Sequence, residues 1–220
     1  MFVLVACEES QRVCKAFRDK GHIAYSCDII ETSGEHPEWH IKQDVLPLLN
    51  GFCSFTTCDG VEHTLNQKWD MIIGFPPCTY LTVAGAARLY PTKGVLNPER
   101  YELGKQAAEF FKAILSADCE KIVVENPTPM KVFGLPKYNQ VIEPFMFGHP
   151  YKKRTCLWLK GVPALEPTEL ITEGIIAWVS GGSKDANGNQ RKLKTVNFRD
   201  AKTRSKTFEG VASAMANQWG

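Results

Sequence analysis

The stretch from Asp70 to Cys78 is an apolar run that ends abruptly in two consecutive prolines and a cysteine. Ile72 and Ile73 favour a strand that is covered on both faces, and the prolines fix φ and lack amide donors, so the strand must end there. We therefore expect a stiff loop to hold the Cys78 thiol at the carboxyl end of a strand, where open α/β sheets bind ligands. The alternative is a small side chain that serves packing alone.

Carboxylates follow three other predicted strands: Glu8, Asp28 and Asp44 each stand where an apolar stretch ends. In a doubly wound sheet, an acid after the second strand can accept hydrogen bonds from ribose hydroxyls, and one after the third can accept from an adenine amino group. The alternative is that Asp28 and Asp44 cap helices or lie in solvated loops. The rim of this sheet is predicted to collect Cys7, Glu8, Asp28, Asp44, Cys78 and Glu125.

The elements that must position these residues alternate between strands and helices. Ser10 is predicted to cap a first helix that ends at Lys20, and the polar stretch 51–67 predicts no clear element. The alternation predicts an α/β protein with a Rossmann-like doubly wound, mostly parallel sheet. The predicted strands are 2–6, 22–27, 39–43, a strand ending at Gly74, 121–124, 141–145 and 155–159, and later helices are predicted near 98–117 and 208–218.

Length and composition indicate one globular domain over residues 1–220, with 44% apolar and 23% charged residues. The longest apolar runs are far shorter than the roughly 20 residues of a membrane span, so we expect no membrane contact and a cytoplasmic location. The eight cysteines show no Cys-x-x-Cys and no zinc-type spacing, which predicts reduced thiols and no metal site. The net charge of +2 neither requires nor excludes an anionic partner.

Three motifs follow one another along the chain: Gly-Phe-Pro-Pro-Cys at 74–78, Glu-Asn-Pro at 125–127 and Lys-Lys-Arg-Thr-Cys-Leu-Trp at 152–158. In type and order they resemble the motifs of the cytosine carbon-5 methyltransferases. The chain also resembles small phage and prophage proteins of the DNA cytosine methyltransferase-like kind, in Val5–Glu8, Pro76–Leu81, Glu125–Pro127, Thr155–Gly161 and Ala214–Trp219. The resemblance implies the class I S-adenosylmethionine-dependent methyltransferase fold, S-adenosylmethionine as cofactor, and the cytoplasm of a bacterial cell or phage-infected host.

The resemblance also implies roles for the residues of these motifs. Cys78 would add to carbon 6 of cytosine, and Glu125 would stabilise the charge that develops near N3 of the ring. Lys153 or Arg154 would favour the thiolate and contact the ring carbonyl, although a solvated basic strand edge is the alternative. Substrate contacts are expected from Thr79, Tyr80, Asn126 and Arg204, and Asn126 is also expected to brace the loop.

The cofactor is expected against the acidic rim. The family has a glycine-rich turn after the first strand, whereas this chain has Cys7 to Gln11. We therefore expect Glu8 to meet the ammonium of the methionine part, and Ser10 with the helix amides to meet its carboxylate. The predicted cofactor-binding residues are Cys7, Glu8, Ser10, Asp28, Asp44 and Pro76.

A short segment separates the late strand from the terminal helix. Only about 42 residues, 162–203, stand where DNA enzymes of this family carry a recognition domain. Residues 181–206 are rich in glycine and basic residues, which predicts a flexible phosphate-binding loop, with a solvated loop as the equal alternative. The leading hypothesis is methylation of duplex or single-stranded DNA. The alternatives are the same chemistry on a free pyrimidine nucleotide and a non-catalytic module that binds nucleic acid or protein.

Overall fold

A computed structural model describes residues 1–174, 177–179, 195–196 and 201–220 of the chain. The predicted flexible loop at 181–206 therefore lies largely outside the described residues. The strands are β1 (Phe2–Ala6), β2 (Ile23–Asp28), β3 (His40–Lys42), β4 (Cys53–Thr56), β5 (Glu62–Leu65), β6 (Met71–Gly74), β7 (Lys121–Pro127), β8 (Gln140–Ile142), β9 (Tyr151–Lys152), β10 (Thr155–Lys160), β11 (Ala177–Val179) and β12 (Thr195–Val196). The α-helices are α1 (Arg12–Asp19), α2 (Ala86–Leu89), α3 (Pro98–Leu115), α4 (Ala201–Ser205) and α5 (Glu209–Trp219).

Seven of the strands in this part of the chain form one sheet in the order β3-β2-β1-β6-β7-β10-β8. The pairs from β3 to β7 are all parallel, and β10 runs antiparallel between β7 and β8. The order reverses at β1, because β2 and β3 lie on one side of it and β6 and β7 on the other. This topology confirms the predicted Rossmann-like doubly wound, mostly parallel sheet.

Both faces of the sheet are covered, which explains why its central strands are apolar without alternation. On one face, Phe17 of α1 and Trp219 of α5 pack against the β1, β6 and β7 side chains. On the other face, Phe111 and Ile114 of α3 pack with Trp158 of β10. Gly74 is required where α3 crosses the end of β6, because a Cβ there would lie 2.9 Å from the Ile114 side chain. Close packing of α3 thus fixes the point at which β6 ends.

The start of α1 differs from the prediction. Gln11 occupies the cap position with φ 57°, and no side chain at that position caps the helix. The Glu8 carboxylate instead accepts hydrogen bonds from the Val13 amide at 2.7 Å and the Cys14 amide at 3.1 Å. The predicted Ser10 cap is therefore wrong, because Glu8 reaches the first turn from the strand side. The predicted end at Lys20 is confirmed by its position as the C-cap.

The stretch 51–67, which predicted no element, contains the antiparallel hairpin of β4 and β5. Its inward side chains Phe55 and Leu65 are buried, while polar residues fill the outward positions. The predicted strand 141–145 is shorter and begins one residue earlier, at Gln140. None of the helices in the described residues combines the length and the apolar character needed to cross a membrane.

Candidate active site

The loop after β6 is fixed by backbone hydrogen bonds on both sides of Cys78. Before it, the Phe75 amide donates to the Ala6 carbonyl at 2.9 Å, and Pro76 is buried. After it, the Cys78 carbonyl accepts from the amides of Leu81 at 3.1 Å and Thr82 at 3.3 Å, which closes a turn. The thiol is therefore held on an ordered loop at the carboxyl edge of the sheet, as predicted.

A second set of bonds ties this loop to the segment that follows β7. The Val83 amide donates to the Thr128 carbonyl at 3.0 Å, and the Met130 amide donates to the Leu81 carbonyl at 2.7 Å. Because Glu125 stands on β7 just before this segment, the bonds place the two loops side by side. Cys78 and Glu125 are thereby brought together although 47 positions separate them in the chain.

Arg100 on α3 holds the same loop from the outer side. Its Nη2 donates to the Thr79 carbonyl at 2.9 Å, and its guanidinium lies 4.9 Å from the centre of the Tyr80 ring. The Asn97 side chain caps α3 by accepting from the Arg100 amide at 3.0 Å, which fixes the residue at the first turn. The sequence analysis did not predict this role of Arg100. The Asn-Pro pair at 97–98 predicts a helix start with an Asn cap, but it gives no indication that the Arg100 side chain contacts the Cys78 loop.

Glu125 is half-buried on β7, where its side chain lines a cleft. Burial raises its pKa, and the nearby Lys153 ammonium and Thr155 hydroxyl partly oppose that rise. Thr155 begins β10, the antiparallel neighbour of β7, so the strand pairing positions its hydroxyl. A carboxyl group in these surroundings keeps its proton at higher pH than an exposed glutamate does, which suits it to donate a proton.

Cys78 is half-buried and responds to the same two charged residues. Burial raises the pKa of its thiol, the Glu125 carboxylate raises it further, and Lys153 lowers it. The thiolate is consequently favoured when Glu125 is protonated and Lys153 is charged. The three groups form one electrostatic cluster, in which the charges of Glu125 and Lys153 set how readily the Cys78 thiol ionises.

A shallow cleft adjoins this cluster. Its atom-free space of about 330 Å³ includes open solvent, and the part that can hold a water-sized sphere is about 20 Å³. Its polar residues include Glu125, Lys153 and Thr155, and two aromatic rings, Phe75 and Phe208, contribute to a largely apolar wall. A few polar groups in an apolar wall are typical of small-molecule and base-binding sites. The remaining lining residues are Ile142, Pro144, Thr207, Val211 and Met215. Phe75, Phe208 and Thr155 were not predicted, since their places depend on packing between distant elements.

The structure separates the two basic candidates. Lys153 acts on both Cys78 and Glu125, whereas the Arg154 side chain is exposed and its Nη2 lies 3.4 Å from the Tyr138 hydroxyl. Glu143 accepts a hydrogen bond from the Lys153 backbone amide and so helps to set this segment. Of the pair, only Lys153 stands where it can influence the thiol.

The predicted substrate residues occupy different places. Thr79 has an exposed side chain beside Cys78, and Tyr80 is half-buried beneath Arg100. Asn126 is fully buried, and neither of its amide atoms has a hydrogen-bond partner among the residues described. Because adjacent strand residues point to opposite faces, Asn126 lies on the face away from the Glu125 carboxyl. Arg204 lies beside the cleft, in a neighbouring pocket.

Part of the acidic rim forms as predicted. Asp28 and Asp44 both lie close enough to Cys7 to raise the pKa of its thiol, although burial is the larger cause. Asp28 is half-buried at the end of β2, and Asp44 is exposed. The neighbouring Ile29 side chain is 73% exposed, an apolar surface that the sequence analysis missed. A carboxylate beside an exposed apolar side chain can hold a ribose and a flat aromatic ring together.

Glu8 is arranged differently from the expectation. Its two carboxylate oxygens accept hydrogen bonds from the Val13 and Cys14 amides. Those amides are therefore not available to the carboxylate of a methionine group. Burial raises the pKa of Glu8 to about 7, and the two amide hydrogen bonds oppose this rise. Ser10 is half-buried in the turn between Glu8 and the helix. The described residues contain no group of three or more His, Cys, Asp or Glu side chains that could hold a metal ion.

No family model matches the chain, and no curated protein matches it either. The chain is similar to the crystal structure of a proposed DNA modification methyltransferase encoded within an E. coli prophage, at 14% sequence identity and a TM-score of 0.43. The match covers 84% of this chain and 58% of that chain, so this chain spans little more than half the length of the solved structure.

Proposed function

We propose that the protein transfers a methyl group to carbon 5 of cytosine in DNA through a covalent bond between Cys78 and carbon 6 of the base. The observation that carries the proposal is the cluster of Cys78, Glu125 and Lys153 at the carboxyl edge of the sheet. Carbon 5 of cytosine is a poor nucleophile until a group adds at carbon 6, and that addition places negative charge on the ring. A thiol, a proton donor and a cation meet these needs.

Cys78 and Glu125 supply the electron pair and the proton of the first step. The Cys78 thiolate forms a bond to carbon 6, and the displaced ring electrons move towards N3, where the Glu125 proton stabilises them. S-adenosylmethionine, when bound, supplies the electrophilic methyl group. The electron pair at carbon 5 forms the bond to that methyl group. A solvent water then takes the carbon 5 proton, the electrons of that C–H bond re-form the carbon 5–carbon 6 double bond, and the sulfur–carbon 6 bond breaks so that Cys78 leaves with its electron pair. The aromatic ring is restored and Glu125 recovers its proton.

The raised pKa of Glu125 gives this scheme its starting state. A protonated Glu125 carries no charge, so it no longer disfavours the Cys78 thiolate. Lys153 then favours the ionisation of the sulfur. The first step requires the proton on the carboxyl group and the negative charge on the nucleophile. The raised pKa of Glu125 and the Lys153 cation favour this distribution, whereas burial of Cys78 opposes it.

The rim residues support S-adenosylmethionine as the cofactor. Asp28 is suited to accept hydrogen bonds from the ribose, and Ile29 offers an apolar surface to the adenine. Asp44 and Cys7 lie at the same edge. The Val13 and Cys14 amides at the start of α1 already donate to Glu8. We therefore assign the methionine carboxylate to the Ser10 side chain and not to these amides.

The same chemistry on a free pyrimidine nucleotide is the second candidate. The short segment 162–203 favours it, because about 42 residues are too few for a large recognition domain. A nucleotide would still use Cys78, Glu125 and Lys153 in the same roles. The two candidates differ only in what is attached to the base.

The test is transfer of labelled methyl from S-adenosylmethionine to duplex DNA, single-stranded DNA and free cytosine and uracil nucleotides in parallel. Cys78→Ala should abolish transfer, and Cys58→Ala, which removes an exposed cysteine elsewhere, should leave it unchanged. DNA containing 5-fluorocytosine should form a stable adduct with the wild-type chain, because the fluorine cannot leave as a proton does. Label that persists in Cys78→Ala would exclude the covalent mechanism, and no label in any substrate would favour a binding module.

A further inference from the structure

A second pocket lies between the start of α1 and the segment joining α4 to α5. It encloses about 640 Å³ of atom-free space, part of it open to solvent. Three of its lining side chains are basic, and these are Arg12, Arg204 and Lys206. The other described lining residues are His149, Val179, Thr203, Phe208 and Glu209. Among these residues, three permanent positive charges face the single carboxylate of Glu209.

Hydrogen bonds hold two of the cations at the pocket. Arg12 Nη1 donates to the Thr207 carbonyl at 2.7 Å, and Lys206 Nζ donates to the Ser33 hydroxyl at 2.8 Å. These bonds tie the segment before α5 to α1 and to the loop after β2. A guanidinium has five N–H donors, so Arg12 keeps further donors after this contact. The pocket therefore contains hydrogen-bond donors that are held in place by contacts among α1, the segment before α5 and the loop after β2.

His149 adds a neutral donor. Its Nε2 accepts a hydrogen bond from the Gly210 amide at 2.9 Å, which in the neutral ring leaves the hydrogen on Nδ1. Burial lowers the pKa of His149, so the neutral ring is favoured. The pocket therefore combines fixed cations with a neutral N–H group, a set of donors suited to a phosphate.

Phe208 connects this pocket to the candidate active site. Its side chain lines both the cleft that contains Glu125 and the basic pocket. Thr207 lines the first and Lys206 the second, so the two spaces adjoin along one short segment. A ligand with a flat ring in the cleft and a phosphate in the pocket would extend past Phe208, and a nucleotide has that form.

We propose that the pocket formed by Arg12, Arg204 and Lys206 binds a phosphate attached to the nucleoside whose base occupies the cleft. The identity of the base rests on the proposed function, whereas phosphate binding can be measured without methyl transfer. The excess of positive charge favours a phosphate over the methionine end of S-adenosylmethionine, which carries an ammonium beside its carboxylate. The phosphate belongs either to a free nucleotide or to a DNA strand, and both present the same group to the pocket.

The experiment compares dCMP with deoxycytidine, and adds a short single-stranded oligonucleotide containing cytosine. Binding to the intact chain is measured by titration calorimetry in the Cys78→Ser background, which removes the nucleophile. Arg204→Gln and Lys206→Gln should each weaken dCMP binding about tenfold and leave deoxycytidine binding unchanged. Arg204→Lys and Lys206→Arg, which keep the charge, should restore most of the affinity. Lys112→Gln, on α3 at the opposite face of the sheet, is the matched control.

The oligonucleotide distinguishes the two sources of the phosphate. If the pocket serves a DNA strand, the oligonucleotide binds more tightly than dCMP, and each Gln variant reduces the slope of log K against log salt by about 0.7. If it serves a free nucleotide, dCMP binds at least as tightly. Equal affinity for dCMP and deoxycytidine in the wild-type pocket would overturn the proposal. A loss of S-adenosylmethionine affinity in both Gln variants would overturn it as well, and would assign the pocket to the cofactor.

Failure of the proposed function gives a different result. In that case dCMP still binds more tightly than deoxycytidine and the Gln variants remove the difference, while no substrate accepts label. Thermal unfolding of each variant shows whether it is folded before binding is interpreted.

Discussion

The Glu125 carboxylate lies close enough to Cys78 to raise the pKa of the thiol, and burial raises the pKa of both groups. Ionisation of either group therefore disfavours ionisation of the other, so the pair tends to carry a single negative charge. The Lys153 ammonium favours the anionic form of both. Two measurements follow from this relationship, one on the thiol and one on methyl transfer.

Replacing Glu125 by Gln should change these two readouts in opposite directions. The pKa of Cys78 should fall because the carboxylate that raises it is gone, and alkylation of Cys78 by iodoacetamide at neutral pH should be faster. Methyl transfer should nevertheless fall by about 10²–10⁴-fold, since the amide cannot act as the acid. Alkylation is followed on the Cys78 peptide by mass spectrometry across pH. Glu120→Gln, an exposed position before β7, is the control, and slower alkylation in Glu125→Gln would contradict the arrangement.

Removing the positive charge at position 153 should have the reverse effect on the thiol. Lys153→Gln should raise the pKa of both Cys78 and Glu125, because the cation that lowers each is lost. Alkylation of Cys78 should therefore need a higher pH than in the wild-type chain. Lys152→Gln is the matched control, one position away. If both variants shift the alkylation profile alike, general surface charge and not the Lys153 contact controls the thiol.

Arg100 should act through the position of the Cys78 loop. Arg100→Gln removes the bond to the Thr79 carbonyl and the contact with the Tyr80 ring, which together should lower the free energy of unfolding by about 1 kcal/mol. We expect kcat for methyl transfer to fall more than KM rises, because the nucleophile loses its fixed geometry. Arg88→Gln, at the end of α2, serves as the control. An unchanged kcat with lower stability would limit Arg100 to a structural role.

The sequence predicted the parts of the site that depend on strand order. Apolar runs marked β1, β6 and β7, and parallel strands deliver their carboxyl ends to one edge, so Cys78 and Glu125 could be expected to meet. The sequence could not decide whether Lys153 or Arg154 is the basic partner of Cys78. Side chains of adjacent residues in an extended segment point to opposite sides, so an error of one residue in the predicted register would exchange the two. The basic residues of 181–206 and Arg204 were expected to contact phosphate or substrate. The contributions of Phe208 and Arg12 were beyond sequence analysis, since they depend on the tertiary packing of α5 and α1.

The start of α1 shows the same limit at the level of one hydrogen bond. Ser10 has the side chain of a common helix cap, and local propensity predicted it. The structure places the Glu8 carboxylate on the first helical amides instead, because Cys7, with φ 60°, turns the chain back over the helix. That turn is a left-handed conformation in a residue other than glycine, which no local pattern predicts.

Glu8 also leads to a prediction about the pH dependence of stability. Its pKa is raised from 4.5 to about 7 in the folded chain, so the native state holds a proton between these pH values that the unfolded chain has lost. The stabilisation is present in full below pH 4.5 and is lost as pH rises through about 7. The Gln side chain in Glu8→Gln does not titrate. The variant also loses one amide hydrogen bond, which lowers its free energy of unfolding by an amount that does not vary with pH.

The free energy of unfolding of Glu8→Gln, measured in urea at pH values from 5 to 8, should therefore rise relative to the wild-type chain by on the order of 3 kcal/mol. Glu35→Gln, an exposed position in the loop after β2, should show no such trend. Curves for Glu8→Gln and the wild-type chain that stay parallel over this range would mean that Glu8 is ionised throughout. In that case the two amide hydrogen bonds, and not burial, would dominate its titration.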